Sequence, residues 1–540
     1  MADDRQLTII KVFRKYSHSL GPDALQFLEE ILESHDIADN DVEFSIETIA
    51  REYNKQDDAA MKVSLDILRR VYDALQDQGN PGEAEELLDP DSHLYFVDAF
   101  EMPSWHWSQE RGTFEKSSSP LTVAGSADSR IAAVRNRLHI IKQSILRNEH
   151  FSPSTLPSRD REHLVTLKST KQLLGRAGER FLLLGMLAHN KEGKLCVEDS
   201  DGSVELDLST MARILRSRDD DEPGEGLYTE GCFALVEGEY NEDGILEVVA
   251  MGQPPCEDRE TARSIYGHID FLGQGSTSLL EDSQFARRIR EELSDLYFFF
   301  LSDVWLDHPQ TLVGLQKMFD NCIENSFIPK IIVMCGNFTR KSIMQGGGRD
   351  IQRYQENFDS LADLIASYPQ ITRETHFVFV PGPLDITGSS ALPRRPILST
   401  FTSHLRSKIP KVHFTSNPCR LKFFGQEVVI FREDTMARML RNTIGIKPNV
   451  TGEDLRRYSI LDQSHLTPLT THIQPVLPDF DHTLRLYPLP TAVILADKYE
   501  KYKLTYSGCH VFNPGGFVGN SFSFSTYCPA ERSSEEGYVI

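Results

Sequence analysis

The residues of this chain best suited to chemistry stand at the ends of short apolar runs. Residues 297–301 (YFFFL) stop at Ser302-Asp303-Val304-Trp305, and residues 330–334 (KIIVM) stop at Cys335-Gly336-Asn337-Phe338. Residues 376–380 (HFVFV) stop at Pro381-Gly382-Pro383-Leu384-Asp385. Further on, Ser464-His465-Leu466-Thr467 offers an imidazole and a hydroxyl. Carboxylates and imidazoles replace water around divalent cations, and paired cations of that kind activate water against phosphate esters. Trp305 does not suit that chemistry, because an indole N–H is a donor with no lone pair for a metal. The bland alternative for any one of these places is an Asp or Asn that satisfies loop amides. Several in order, each after an apolar run, point instead to a ligand site or its remnant.

The elements that must position these residues alternate in kind. Leu312, Leu315, Phe319, Cys322 and Ile323 share one helical face, as do Phe358, Leu361, Leu364, Ile365 and Tyr368. Strands alternating with helices of this length predict βαβ units and a largely parallel sheet. Ligands of such sheets gather outside the carboxyl ends of the strands, where every candidate ligand after residues 301, 334 and 380 falls.

On these runs, the region from about residue 283 to 540 resembles the calcineurin-type metallophosphoesterases. Their ligand motifs run Asp-x-His, Gly-Asp-x-x-Asp, Gly-Asn-His-Asp/Glu, a lone His, and Gly-His-x-His. Against that pattern Asp303 is kept and Trp305 replaces the first histidine. Asn337 stands for the metal-bridging aspartate and Arg340 for the second aspartate of its motif. Pro383 and Leu384 replace Asn and His, Asp385 is kept, and Asn417 stands in roughly the place of the lone histidine. The last motif is matched by residues 464–467, with His465 kept and Thr467 in place of the second histidine. Two dications about 3.5–4 Å apart repel, and a shared anionic oxygen makes the pair tolerable; the neutral Asn337 amide cannot supply one. The resemblance thus implies a vestigial site at Asp303, Trp305, Asn337, Pro383, Leu384, Asp385, His465 and Thr467. No catalytic residue, no bound metal and no cofactor are expected.

A narrower resemblance rests on residues 302–307 (SDVWLD), 421–434 with their Phe-Arg-Glu-Asp end, 459–469 (SILDQSHLTPL) and 513–517 (NPGGF). These are similar to the non-catalytic B-subunits of eukaryotic replicative DNA polymerases, above all the epsilon branch, over about the last two-thirds of the chain. The likeness implies an inactivated phosphoesterase domain behind an oligonucleotide/oligosaccharide-binding (OB) fold, in a scaffold subunit. The implied partners are the C-terminal zinc-binding region of the catalytic subunit and small histone-fold subunits of the same holoenzyme. The N-terminal region would reach GINS in the replicative helicase, DNA would be met mainly through partners, and the location would be the nucleus. Two alternatives stand beside this reading: an active metal-dependent nuclease or phosphatase with a rearranged site, and a B-subunit of polymerase alpha or delta.

Composition agrees with a soluble multidomain protein. The 540 residues leave room for two to four domains, with 40% apolar and 25% charged residues. A net charge of −23 argues against broad contact with nucleic acid, whose phosphates favour basic surfaces. Eight cysteines include no Cys-x-x-Cys pair, which suits a reducing compartment and gives zinc no support. Met1-Ala2-Asp3-Asp4 is unlike the basic-then-apolar start of a signal peptide, and no apolar stretch approaches the ~20 residues that span a bilayer. No membrane is expected.

The expected fold is a helical N-terminal bundle, an OB barrel and an α/β phosphoesterase-like domain. Residues 1–80 carry helical faces such as Ile46, Ile49 and Tyr53, and resemble the small helical domain of AAA+ ATPases without any phosphate loop. Residues 81–164 read as a linker on which that bundle could move, with a helix near 129–148. Residues 165–262 hold strand candidates at 180–189, 194–199, 204–208, 229–240 and 245–252, with an acidic excursion at 219–222, as an OB fold requires. Their acidic surplus makes single-stranded DNA a weak ligand. Residues 263–540 complete the chain. Within them the 346–348 glycines read as a loop, and His472 and His482 as surface or hydrogen-bonded histidines.

Overall fold

The computed structural model describes residues 2–16, 18–34, 42–54, 56, 61–78, 87–148, 150–151, 166–211, 227–343, 347–444, 460–519 and 522–539. The 219–222 excursion, Gly346, Ser459 and residues 81–86, 149 and 152–164 of the 81–164 segment lie outside them. Four amphipathic helices open the chain: α1 (Ala2–Lys15), α2 (Pro22–Ser34), α3 (Val42–Asn54) and α4 (Leu65–Gln78). Pro22 and Asp23 start α2, where a missing N–H is harmless and the dipole favours an acid. Phe13, Leu28, Ile46, Tyr53 and Leu68 close a core of the bundle's own. The bundle also touches the middle of the chain, since Arg51 pairs with Glu281 and the Tyr16 ring meets His268 edge-on at 5.6 Å.

The segment read as a linker is built into the fold wherever it is described. β1 (Leu94–Asp98) joins the edge of a sheet formed some 320 residues later, Leu94 lying opposite Phe423. β2 (Trp105–Ser108) and β3 (Thr113–Lys116) form a hairpin whose Trp107 and Phe114 pack on Tyr266. α5 (Ala127–Ile145), capped by Ser126, comes after it. The aromatic residues explain the correction: Phe96 stacks on His413 with ring centroids 4.0 Å apart, and Asp91 accepts from His376 (2.9 Å) and Lys411 (2.9 Å).

Next come β4 (Leu167–Lys168), β5 (Arg180–His189), β6 (Leu195–Glu198), β7 (Ser203–Asp207), β8 (Phe233–Tyr240) and β9 (Ile245–Gly252). Strands β5, β6, β7, β9 and β8 pair in that order and β8 returns to β5, so a five-stranded barrel closes and leaves no open edge among them. Phe181, Leu183, Val197, Ala234 and Val248 fill it.

The remainder is a two-sheet sandwich entered through α6 (Arg259–Tyr266) and α7 (Leu279–Glu292). β10 (Phe298–Leu301), α8 (Pro309–Glu324), β11 (Ile331–Cys335), α9 (Gly348–Ala366), α10 (Pro369–Glu374), β12 (His376–Val380), α11 (Ser399–Lys408) and β13 (Val412–Phe414) follow one another. Of these, β10, α8, β11, α9 and β12 fall where the apolar runs and helical faces put them, while α10, α11 and β13 are not foreseen by that pattern. β14 (Cys419–Phe423), β15 (Gln426–Phe431), α12 (Thr435–Arg441), β16 (Ala492–Leu495), β17 (Tyr502–Tyr506), β18 (Cys509–Asn513), β19 (Ser523–Cys528) and β20 (Ser533–Tyr538) complete it. One sheet runs β13-β12-β11-β10-β19-β20, with β10 to β13 parallel; the other runs β1-β14-β15-β16-β18-β17. The strand period of two divides the apolar residues between two cores. Phe298 and Phe300 face the second sheet's Leu421, Ile430 and Phe512, while Phe299, Ile332 and Phe377 face the helices through Leu315, Phe319 and Phe358.

Candidate functional site

Parallel strands from both sheets end at one rim, and the residues just beyond them are bonded to one another there. Asp303 follows β10 with φ +50°, a left-handed conformation that Asp tolerates better than most residues. Its Oδ1 accepts from the Asn337 backbone N–H (3.1 Å), from Asn337 Nδ2 (3.0 Å) and from Arg432 Nη2 (2.7 Å). Arg432 follows β15 and has the largest fully buried side chain among the described residues. Its Nη1 donates to Asp434 Oδ1 at 2.9 Å and its Nε to the Gly336 carbonyl. Burial by itself would lower the guanidinium's affinity for its proton. The charges of Asp303 and Asp434 outweigh it and hold Arg432 above the ordinary arginine range.

Asp385 lies in the same network. Its Oδ1 accepts from the Phe338 N–H (2.9 Å) and the Tyr354 hydroxyl (3.1 Å), and its Oδ2 from the Gly382 N–H (2.8 Å). Burial pushes this carboxyl up to about 6 despite those donors. Asn337 Oδ1 accepts from the Leu384 N–H at 2.9 Å, so Leu384 serves through its backbone. The glycines are required by contact: a Cβ on Gly336 would sit 2.0 Å from Asp385 Oδ2, and one on Gly382 2.5 Å from Asn337 Oδ1. Asn417 accepts from the Arg432 N–H (3.1 Å) and donates to the Pro381 carbonyl (2.9 Å). Trp305 contributes its N–H to the Asp303 carbonyl (2.9 Å), shaping the turn, and partly buried Pro383 completes the β12 loop.

This donor set does not fit a pair of divalent cations. Asp303 Oδ1 already holds three donors, one of them a cation, and the Asn337 amide turns an N–H toward it. A dication beside Arg432 would face a fixed positive charge with no bridging carboxylate. Among the described residues, no group of three or more His, Cys, Asp or Glu is arranged to hold a metal ion.

His465 and Thr467 belong to another cluster. His465 Nδ1 accepts from the Thr467 N–H (3.1 Å), and its Nε2 lies 3.5 Å from Asp481 Oδ1. Arg137 of α5 forks onto the same Asp481. Burial, with help from Arg137, keeps His465 below the ordinary imidazole range. The reason for this placement is the seam with the barrel. Gln463 accepts from the Phe233 N–H and donates to the Phe233 carbonyl, both at 2.7 Å, and Thr229 Oγ1 donates to the Pro468 carbonyl at 2.6 Å.

The rim position after β16 is held by Asp497, which no quoted motif covers; Arg432 lies in the Phe-Arg-Glu-Asp end of residues 421–434, where the resemblance gives it no role. Asp497 accepts from the Met436 N–H at 2.9 Å, and burial, reinforced by the nearby Asp434 charge, pushes it up to about 6. A signal existed for it: residues 492–495 (AVIL) are an apolar run ending in Ala496-Asp497. Of the remaining histidines, His472 bonds Thr470 Oγ1 (2.9 Å) and His482 lies 3.4 Å from the Met102 carbonyl.

Comparison with known proteins agrees with the resemblance. A family model for the DNA polymerase alpha/epsilon B-subunit matches residues 298–504, and one described as DNA polymerase epsilon subunit 2-like, OB-fold domain, matches residues 127–255, from α5 to the end of the barrel. Human DNA polymerase epsilon subunit 2 is 33% identical over 542 residues, covering 98% of this chain and 97% of that one. The DNA polymerase epsilon B-subunit of Arabidopsis thaliana is 31% identical, with 98% and 97% covered. A solved archaeal phosphodiesterase covers 45% of this chain at 11% identity and a TM-score of 0.24, a likeness too slight to argue from. A match that runs from the helical bundle to the last strands at this identity means that the chain belongs to the DNA polymerase epsilon subunit 2 family, the B-subunits of that polymerase.

Proposed function

We propose that this chain is a non-catalytic scaffold subunit of a DNA polymerase epsilon holoenzyme, acting in DNA replication in the nucleus. The observation that carries the absence of catalysis is the Arg432 guanidinium on Asp303, at the rim where a phosphoesterase would hold its first metal. The full-length likeness to epsilon subunits supports the assembly. In this reading the barrel and the sandwich, joined through Gln463 and Thr229, hold the C-terminal zinc-binding region of the catalytic subunit. The bundle reaches GINS in the replicative helicase, histone-fold subunits share the holoenzyme, and DNA is met mainly through partners.

Two measurements test it. Tagged protein is expected to co-purify with the epsilon catalytic chain; recovery with primase or with the delta chain instead would overturn the assignment. Metal analysis of the purified protein is expected to find manganese, iron and zinc far below one per chain. Stoichiometric metal together with nuclease activity that Asp303→Ala abolishes would make it an enzyme.

A further inference from the structure

Residues within 306–312, 339–343 and 350–357 line a cleft of about 800 Å³, within the range that takes a small ligand or several side chains. Apolar Leu306, Leu312 and Ile343 line it together with the cations Arg340, Lys341 and Arg353. Arg340 is engaged by Asp307, whose carboxylate accepts from its N–H (3.1 Å) and Nε (3.4 Å). Lys341 and Arg353 are exposed, and neither has an ion-pair partner among the described residues. Asp350 is the other acid on the wall, so cations outnumber acids here although the chain carries a net charge of −23. The cleft adjoins the rim, because Tyr354 on its wall donates to Asp385.

Unpaired cations beside a few apolar side chains select the ligand. Carboxylates spaced along a peptide reach both cations while an apolar side chain enters between them. A nucleic-acid strand brings evenly spaced phosphates that would meet Asp307 and Asp350 among the cations, whereas a peptide can place its acids on Lys341 and Arg353 alone. We propose that this cleft is a docking site for an acidic peptide segment of a partner chain, with its carboxylates on Lys341 and Arg353 and an apolar residue against Leu312 and Ile343. The inference rests on the reading of this domain as a holder of partners.

Fluorescence anisotropy on the full-length protein tests it, with a short dye-labelled peptide of Glu and Leu, its Gln-for-Glu analogue, and inorganic phosphate and oligothymidylate as competitors. At about 0.1 M salt the acidic peptide is expected to bind, and the Gln analogue at least about tenfold more weakly. Lys341→Glu with Arg353→Glu is expected to weaken binding by about tenfold or more with an unchanged melting temperature, since both side chains are exposed. No binding by the wild type, equal binding by the double variant, or displacement by phosphate or oligothymidylate at equal concentration overturns the proposal. Should the reversal lower the melting temperature, Lys341→Gln with Arg353→Gln takes its place with the same expectation. Co-purification with the epsilon catalytic chain is read separately, and its failure in the wild type counts against the scaffold reading whatever the peptide does.

Discussion

Arg432 carries a full charge out of reach of solvent, and that is stable only because Asp303, Asp434 and the Gly336 carbonyl surround it. Removing one partner of such a pair leaves the other charge buried and alone, at a typical cost of about 3–5 kcal/mol. Arg432→Met is therefore expected to lower the urea-unfolding free energy by about that amount. Asp303→Asn added to it should restore a large part, and a double variant no more stable than the single one would show that the pair does not act as a unit. A second buried acid gives a pH signature. Asp462, 3% exposed, accepts from Tyr506 (2.9 Å) and from the Cys256 N–H (3.3 Å), and burial pushes it up to about 7. A carboxyl raised in the folded state contributes its full stability below the unfolded value near 3.8 and loses it as pH rises through about 7. The wild type should thus lose stability relative to Asp462→Asn between about pH 4 and pH 8, by at most ~4 kcal/mol, and the difference between the two should become independent of pH below about pH 4. Parallel melting curves across that range would contradict the assignment.

At the scale of elements, Gln463 joins barrel to sandwich through one side-chain amide. Gln463→Ala leaves the Phe233 N–H and carbonyl buried without those partners, at about 1–3 kcal/mol each. Calorimetry is expected to show the barrel and sandwich transitions farther apart in the variant than in the wild type; a trace unchanged by the substitution would mean the seam is held elsewhere. The alternation of strands β10 to β12 with helices α8 and α9 was legible because period two and period 3.6 are local properties of the chain. The role of residues 94–98 was not, since β1 exists only through the edge of β14, and a short aromatic strand among Pro, Gly and Ser looks like a tether until that edge is known. The 464–467 motif misled for a related reason. Its order in the chain suits a ligand loop, but the side chains of Gln463 and His465 turn to Phe233 and Asp481.

At the scale of the molecule, the bundle leans on α7 through Arg51 and Glu281, whose side chains are 17% and 25% exposed. An ion pair reached by solvent is screened as the Debye length falls from about 10 Å at 0.1 M salt to about 3 Å at 1 M. Small-angle scattering is accordingly expected to give a larger radius of gyration at high salt, and Glu281→Ala should give the larger value already at low salt. A radius indifferent to both would mean that the bundle is fixed by other contacts.

By itself the sequence determined helices within the first 80 residues, the barrel strands, the strand–helix alternation between residues 297 and 380, and an amide at residue 337 where a metal pair needs a carboxylate, because each of these depends on residue type and on spacing along a few turns or strands. Only the tertiary structure decided what stands beside Asp303. A guanidinium can neutralise Asp303 only if β15 ends within hydrogen-bonding reach of β10, some 130 residues away in the chain, and nothing in the local pattern around Arg432 or Asp303 records that the two sheets close on each other there.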